Sequence, residues 1–471
     1  MRLRRTALPA AAILFTAAAV FGAVALDRVS VESLRANVTW LAADERQGRM
    51  TPSPGLEASA DYIAAQFRQA GLIPGGEDGS WFQTAPFAQI AAPSASGADD
   101  FRMSLEAGGR RVNVRSNNVS VRSLAALDFQ GAAIVQLPRN GALPDVAGRV
   151  VAGGQSWDND MALRSLEIRR PALILLTLDG EKPSEGPVLM EADASIPPVV
   201  RIYGRAAAEL LSGNTPVRIT LHSMQLIRHD VALRNVAGIL RGSDPAVRDR
   251  FVIVSAHYDH LGVRPPGPGN RIYHGANDDA SGAASLIEIA KALVAGSPHP
   301  RRSVLFLAFF GEEEGLLGSA YYVRHPLLPV GRTIADINLE QLGRTDSSDG
   351  PEIARFAFNG PSFSDLPKMM SAAARTAGTE VYRKDDGDDY FDRSDNYSFA
   401  LAGIVAHTIA VAFEFPGYHE VNDTADKIDY RNLATVDRAI AAGVAAVANS
   451  SQPPKWSEAP AARVYREAAK H

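Results

Sequence analysis

Imidazole and carboxylate side chains recur in this sequence where apolar runs stop, and their types and spacing limit the chemistry open to them. RFVIVSA leads into His257 and Asp259, GNRIYHGANDDASG carries Asp278 at the start of a helical stretch, and SVLFLAFF leads into Glu312 and Glu313. IADINL leads into Glu340, and EFPGYHEVNDTADKID presents His419. Two imidazoles and several carboxylates, in a chain without cysteine, form a ligand set for zinc or a similar divalent cation. The acidic groups outnumber what one tetrahedral ion needs; two ions about 3.5–4 Å apart, bridged by one carboxylate, would use them. Such cations also account for SVLFLAFFGEEEGLLGS, which sets three adjacent glutamates at the mouth of an apolar core. A divalent charge offsets their repulsion and desolvation.

Each motif has a plainer reading when taken alone. HYDH fits surface histidines, EEEG fits a solvated acidic run, and NDDASG fits a helix N-cap. Their recurrence after successive apolar strands favours one shared site. Rival chemistries leave little trace: the chain has no H-E-x-x-H helix, no G-x-S-x-G elbow, and no Walker or G-x-G-x-x-G loop opening a helix. GGQSWD at 153–158 comes nearest to a nucleophile loop and lacks its second glycine. The absence of cysteine also excludes thiol catalysis and disulfides.

The elements that must position these groups follow from patterning. Over 471 residues, 46% hydrophobic and 21% charged with a net charge of −5, the chain has the composition of a folded protein of two or three domains. It shows no basic stripe of a nucleic-acid binder. From about 235 onward, nearly continuous apolar strands alternate with loops and helices, as in strands covered on both faces. Ligands in such sheets sit beyond the carboxyl ends of the strands, where the polar groups above fall. The expected fold is therefore α/β: a mixed, largely parallel sheet flanked by helices, with an inserted small β-rich domain. The expected divisions are an export signal over 1–25, an N-terminal helical part over 26–125, and the β-rich insert over 126–228. The catalytic domain follows over 229–450, and a polar C-terminal tail over 451–471. MRLRR followed by an Ala-rich apolar run and Ala23-Val24-Ala25 fits a cleaved signal peptide, with an uncleaved N-terminal anchor as the alternative. Export to the periplasm or beyond, with no stable membrane partner after cleavage, is the corresponding expectation. Helices are predicted from near Ser30 and over GLEASADYIAAQFRQAGL, the second closed by Gly71.

The set AHYDHLG, GANDDASG, GEEEGLLGS, INLEQLGR and YHEVNDTADKID resembles the secreted two-zinc aminopeptidases, relatives of glutamate carboxypeptidase. The stretch VESLRANVTWLAADERQGRMTPSPG is similar to the N-terminal part of bacterial members, and 126–225 is similar to their protease-associated domain. The resemblance implies a fold of that zinc-peptidase type and two Zn2+ per chain, held by His257, Asp278, Glu313, Glu340 and His419. Asp278 bridges the ions in this scheme, and Asp259 holds the His257 ring. Glu312 is the implied general base, and Tyr418 helps polarise the scissile carbonyl. Glu314 stands where relatives often have an apolar residue and is read as making no metal contact. Glu340 stands where many relatives have Asp; its extra methylene can be absorbed by a rotamer shift or can retune metal choice. Asn396 in RSDNYSF stands where His is common, and that loop is read as wall structure. His260, His274 and His407 take no ligand role and are read as supporting or surface residues. The implied activity is removal of N-terminal residues from peptides with a free amino end. A carboxypeptidase or dipeptidase of the same fold is one alternative, and a non-catalytic binding module is another. The acid-rich RKDDGDDYFDRSD fits a pocket rim that recognises an amine, and equally a solvated loop.

Overall fold

The computed structural model describes residues 24–91, 101–138, 143–183, 188–193, 195–223 and 227–470. The expected signal segment lies almost wholly outside them. Five strands form the centre of a ten-stranded sheet: β1 (Ile227–Leu240), β2 (Phe251–His257), β3 (Ser303–Phe309), β4 (Thr333–Leu339) and β5 (Ala406–Ala410). Their spatial order is β5-β4-β2-β3-β1. β2 runs parallel to β3 and β4, and β4 parallel to β5, whereas β1 is antiparallel to β3. Phe82–Ala91 extends the sheet beyond β1, and Arg355–Phe358 extends it beyond β5, each antiparallel to its neighbour.

Every residue of β2, β3 and β5 is buried, as expected of strands covered on both faces. Alternate residues serve opposite layers. Val252, Val254, Val304 and Phe306 join a core with Leu34, Ile63, Phe67, Ile287 and Val436. Ile253, Leu305 and Leu307 pack instead with Tyr322, Val323 and Phe399. The first layer is made by Val31–Leu41, Pro54–Ala70, Ser281–Ala295 and Tyr430–Asn449, the second by the short helices Leu317–Arg324 and Asn396–Leu401. The N-terminal helices start and stop where local chemistry dictates. The Ser30 and Ser53 side chains accept from the amides of Ser33 and Leu56 at 3.2 and 3.1 Å. Gly71 ends the second helix at φ 89°, a conformation open to glycine.

A second, eight-stranded sheet is built from 102–107, 110–114, 119–122, 127–136, 150–153, 173–178, 199–203 and 218–223. The boundary expected at 126 therefore falls inside it. RMSLEA and RRVNV pair with each other across Gly108-Gly109, and RMSLEA also pairs with 218–223. That long-range choice of partner is not carried by short alternating patterns. Within the same span Val188–Glu191 pairs with Phe82–Ala91 and so belongs to the large sheet. The C-terminal stretch expected as a polar tail is also anchored. Trp456 and Tyr465 are buried, with ring centroids 6.2 and 5.1 Å from Phe391, and the Trp456 indole donates to the Gly403 carbonyl at 2.9 Å. Among the described residues no helix is long and apolar enough to cross a membrane.

Candidate active site

The strand ends converge on one cluster of polar side chains. β2 finishes at His257, and the following residues Tyr258, Asp259 and His260 remain buried. Asp278 lies in the tight turn Ala276–Ala280 that precedes the helix Ser281–Ala295. Other loops hold that turn from several sides. The Asp423 carboxylate accepts from the Asn277 amide at 2.9 Å and the Asp278 amide at 3.1 Å. Asp279 accepts from the amides of Gly282 and Gln341 at 2.9 and 3.2 Å, and the Asn277 side chain accepts from the Gly343 amide at 2.7 Å. The loop bearing Asp278 is thereby tied to those bearing Glu340 and His419. His419 sits at φ 55°, a left-handed conformation that costs a β-carbon residue roughly 1–2 kcal/mol.

All five side chains expected as ligands meet around Asp278. One Asp278 oxygen, Oδ1, is 3.3 Å from His257 Nε2, and the other, Oδ2, is 3.1 Å from His419 Nε2. His419 Nε2 is also 3.3 Å from Glu313 Oε2. His257, Asp278 and Glu340 each offer a ligand atom within 4.8 Å of the others, and so do His260, Asp278 and Glu313. Neither ring nitrogen of His257 has a hydrogen-bond partner, although both are buried. Its Nδ1 lies 3.5 Å from Asp259 Oδ1. Buried donors and acceptors are normally satisfied. A buried imidazole with both nitrogens free of hydrogen bonds, set among carboxylates, fits a site for a divalent cation.

The surrounding groups set the charge. Asp259 is fully buried and accepts from the Glu312 amide at 3.1 Å and the Thr51 hydroxyl at 3.2 Å. Glu312 lies at the centre, with Oε2 4.0 Å from His257 Nε2. Burial raises the Glu312 carboxyl well above the usual range, and Glu340, Glu313 and Asp395 add to this against the pull of His257. Burial likewise lifts Glu340 to about 7, Asp395 to about 7 and Asp423 to about 6. For His419 burial opposes the charge, yet Asp278 and Glu313 raise it to about 10. Tyr418 is 39% exposed and stacks on the His419 ring at 4.0 Å between centroids. Partial burial and the nearby carboxylates keep its hydroxyl protonated. Glu314 points to the exposed side.

Some of the contributors have no specific role assigned by the sequence. His260, the last letter of HYDH, is buried, and its Nδ1 is 2.6 Å from Glu313 Oε1. Asp423 lies four residues beyond His419 within the same motif, yet an acid that holds backbone amides looks like any other acid in a linear reading. None of the three remaining histidines near the motifs is a surface residue. His260, His274 and His407 are all buried, because each finds a polar partner: Glu313, Asp44 at 2.8 Å, and Ser364 at 2.6 Å. The acid-rich loop 383–389 is largely exposed, with Lys384 inside it paired to Asp349 and Asp386.

Known proteins resemble this chain in sequence and in fold. Residues 235–444 match the model of Peptidase family M28 and contain every residue gathered around Asp278. The chain is 27% identical over 461 residues to the probable lipoprotein aminopeptidase LpqL of Mycobacterium tuberculosis, covering 88% of this chain and 84% of that one. It is 27% identical over 228 residues to aminopeptidase YwaD of Bacillus subtilis, covering 47% of this chain and 46% of that one. Its fold is similar to that of an aminopeptidase from Aneurinibacillus sp. strain AM-1, with a TM-score of 0.51 and 20% identity over 92% of this chain and 96% of that one. Through residues 235–444 this protein is similar to peptidase family M28, and it is a metallopeptidase.

Proposed function

We propose that this chain is an exported aminopeptidase that uses two zinc ions. The observation that carries the reading is Asp278, whose two oxygens face different imidazoles at 3.3 and 3.1 Å. That is the disposition a bridging carboxylate needs. His257 and Glu340 would hold one ion with Asp278, and Glu313 and His419 the other. When bound, zinc acts as a Lewis acid and lowers the pKa of water from about 15.7 toward about 7. Glu312, buried beside this cluster, takes the proton of the attacking water and delivers it to the leaving amine. Its place beside the cluster, with Oε2 4.0 Å from His257 Nε2, suits both halves of that transfer. Tyr418, held protonated against His419, donates its hydroxyl to the carbonyl oxygen as negative charge develops there. Asp259 and His260 keep the His257 ring and the Glu313 carboxylate oriented.

The eight-stranded sheet carries none of these groups, and we assign it to a protease-associated-like insert that bounds or guides the substrate. Relatives with named aminopeptidase activity support cleavage at the amino end over the carboxyl end. The test uses purified mature chain with free-amine and N-blocked peptides. Turnover confined to free-amine substrates, abolished by a chelator and restored by zinc at two equivalents per chain, is the expected result. Cleavage of N-blocked peptides at their carboxyl end would replace the aminopeptidase reading by a carboxypeptidase. Export is checked by the N-terminus of the protein recovered outside the cytoplasm, expected just after Ala25.

A further inference from the structure

Arg49 is wholly buried, and every hydrogen bond of its guanidinium goes to a backbone carbonyl. Nε donates to Tyr258 at 2.8 Å, Nη1 to Leu41 and His274 at 2.7 Å each, and Nη2 to Gly275 at 2.9 Å. Tyr258 follows His257 directly, and Gly275 opens the turn that carries Asp278. One planar fork thus spans the two segments that deliver the bridging carboxylate and the imidazole on its Oδ1 side. The backbone answers in kind: the His260 amide donates to the Arg49 carbonyl at 3.2 Å, and the Gly262 amide to the Gly48 carbonyl at 3.0 Å. The turn is pressed against these segments so closely that a Cβ at Gly48, which sits at φ 69°, would lie 2.3 Å from the Gly262 carbonyl oxygen.

Burying a guanidinium without a carboxylate partner is costly. Among the described residues no ion pair includes Arg49, but Asp259, Asp279, Asp278 and Asp423 support its charge from a greater distance. We propose that Arg49 is a positioning residue that holds the His257 and Asp278 segments in register, so that the metal centre is built before a cation enters it. This rests on the metal reading given above. Arg49 lies outside residues 235–444, so the centre depends on a part of the chain that the family match does not include.

The test measures zinc affinity, by competition with a chelating dye, in wild type, Arg49→Lys and Arg49→Met, together with thermal unfolding and kcat at saturating zinc. Affinity is expected to fall by about 10–100-fold in both variants, with kcat at saturating zinc within a few fold of wild type. Lysine keeps the charge but cannot bridge four carbonyls, so its rescue should be slight. Variants that are less stable but bind zinc as wild type does would overturn the proposal, leaving Arg49 a packing residue. So would variants that stay unfolded in saturating zinc, because Arg49 would then hold the fold and not the centre. Wild-type chain that binds no zinc would remove the metal reading itself.

Discussion

His257 and His407 are both completely buried, on strands that flank β4 in one sheet, and their surroundings make opposite use of the same ring. His257 faces Asp259, Asp278 and Glu312. Burial disfavours its charge, but these carboxylates raise it well above the ordinary imidazole range. His407 faces the Ser364 hydroxyl and the Asn359 carbonyl at 2.6 and 2.8 Å, with Phe358, Phe391 and Trp456 around it. Burial pushes it down to about 4. Residue type and depth are equal; the nearby carboxylates decide. One ring sits where positive charge is favoured, and the other is a neutral element of the core.

The strongest way to break this contrast is to remove the acid that His257 and His419 share. Asp278→Ala is expected to lose both zinc equivalents and with them all measurable turnover, as read by elemental analysis and steady-state kinetics. Two equivalents retained in that variant would end the bridging assignment. Next in size, Glu312→Gln should keep both ions and lose about 10²–10⁴-fold in kcat. Near-normal turnover at full metal occupancy would take the base role from Glu312. Tyr418→Phe is expected to cost about 10²-fold or less in kcat with KM little changed, because the hydroxyl acts only as charge builds on the carbonyl oxygen.

His407→Gln should change turnover least, and it sharpens the other side of the comparison through pH. The folded His407 ring titrates near 4, below the ordinary value near 6.5. Between these values the unfolded chain binds the extra proton. The stability owed to the neutral ring is therefore fully present above about pH 6.5 and is lost as pH falls toward 4. The loss amounts to about 3 kcal/mol. Denaturant unfolding across that window should show a shallower acid decline in His407→Gln than in wild type. Equal declines would mean that the ring is already charged in the fold.

These contrasts also mark what a linear reading can reach. The nearly unbroken apolar character of RFVIVSA and SVLFLAFF identified strands covered on both faces, and the polar residues that follow them are the ones the fold gathers. Spacing could not separate the roles of the histidines. His260 and His407 differ by the neighbours the fold brings to them, Glu313 in one case and Ser364 in the other, and neither neighbour is adjacent in sequence. The same limit applies to Asp423 and Arg49, whose work is done on backbone groups that carry no side-chain signature. Strands 102–122 were missed as part of the second sheet because pairing partners lie about a hundred residues on. Trp456 and Tyr465 were hidden in a polar context that the folded chain turns inward.

The centre draws on Thr51 near the start of the chain and on His419 and Asp423 near its end. A fragment that ends before His419 therefore lacks part of the centre, however well its remaining elements fold. A single cut between Thr51 and His419 leaves the groups of the centre on separate pieces, so its assembly reports the intactness of the chain between them.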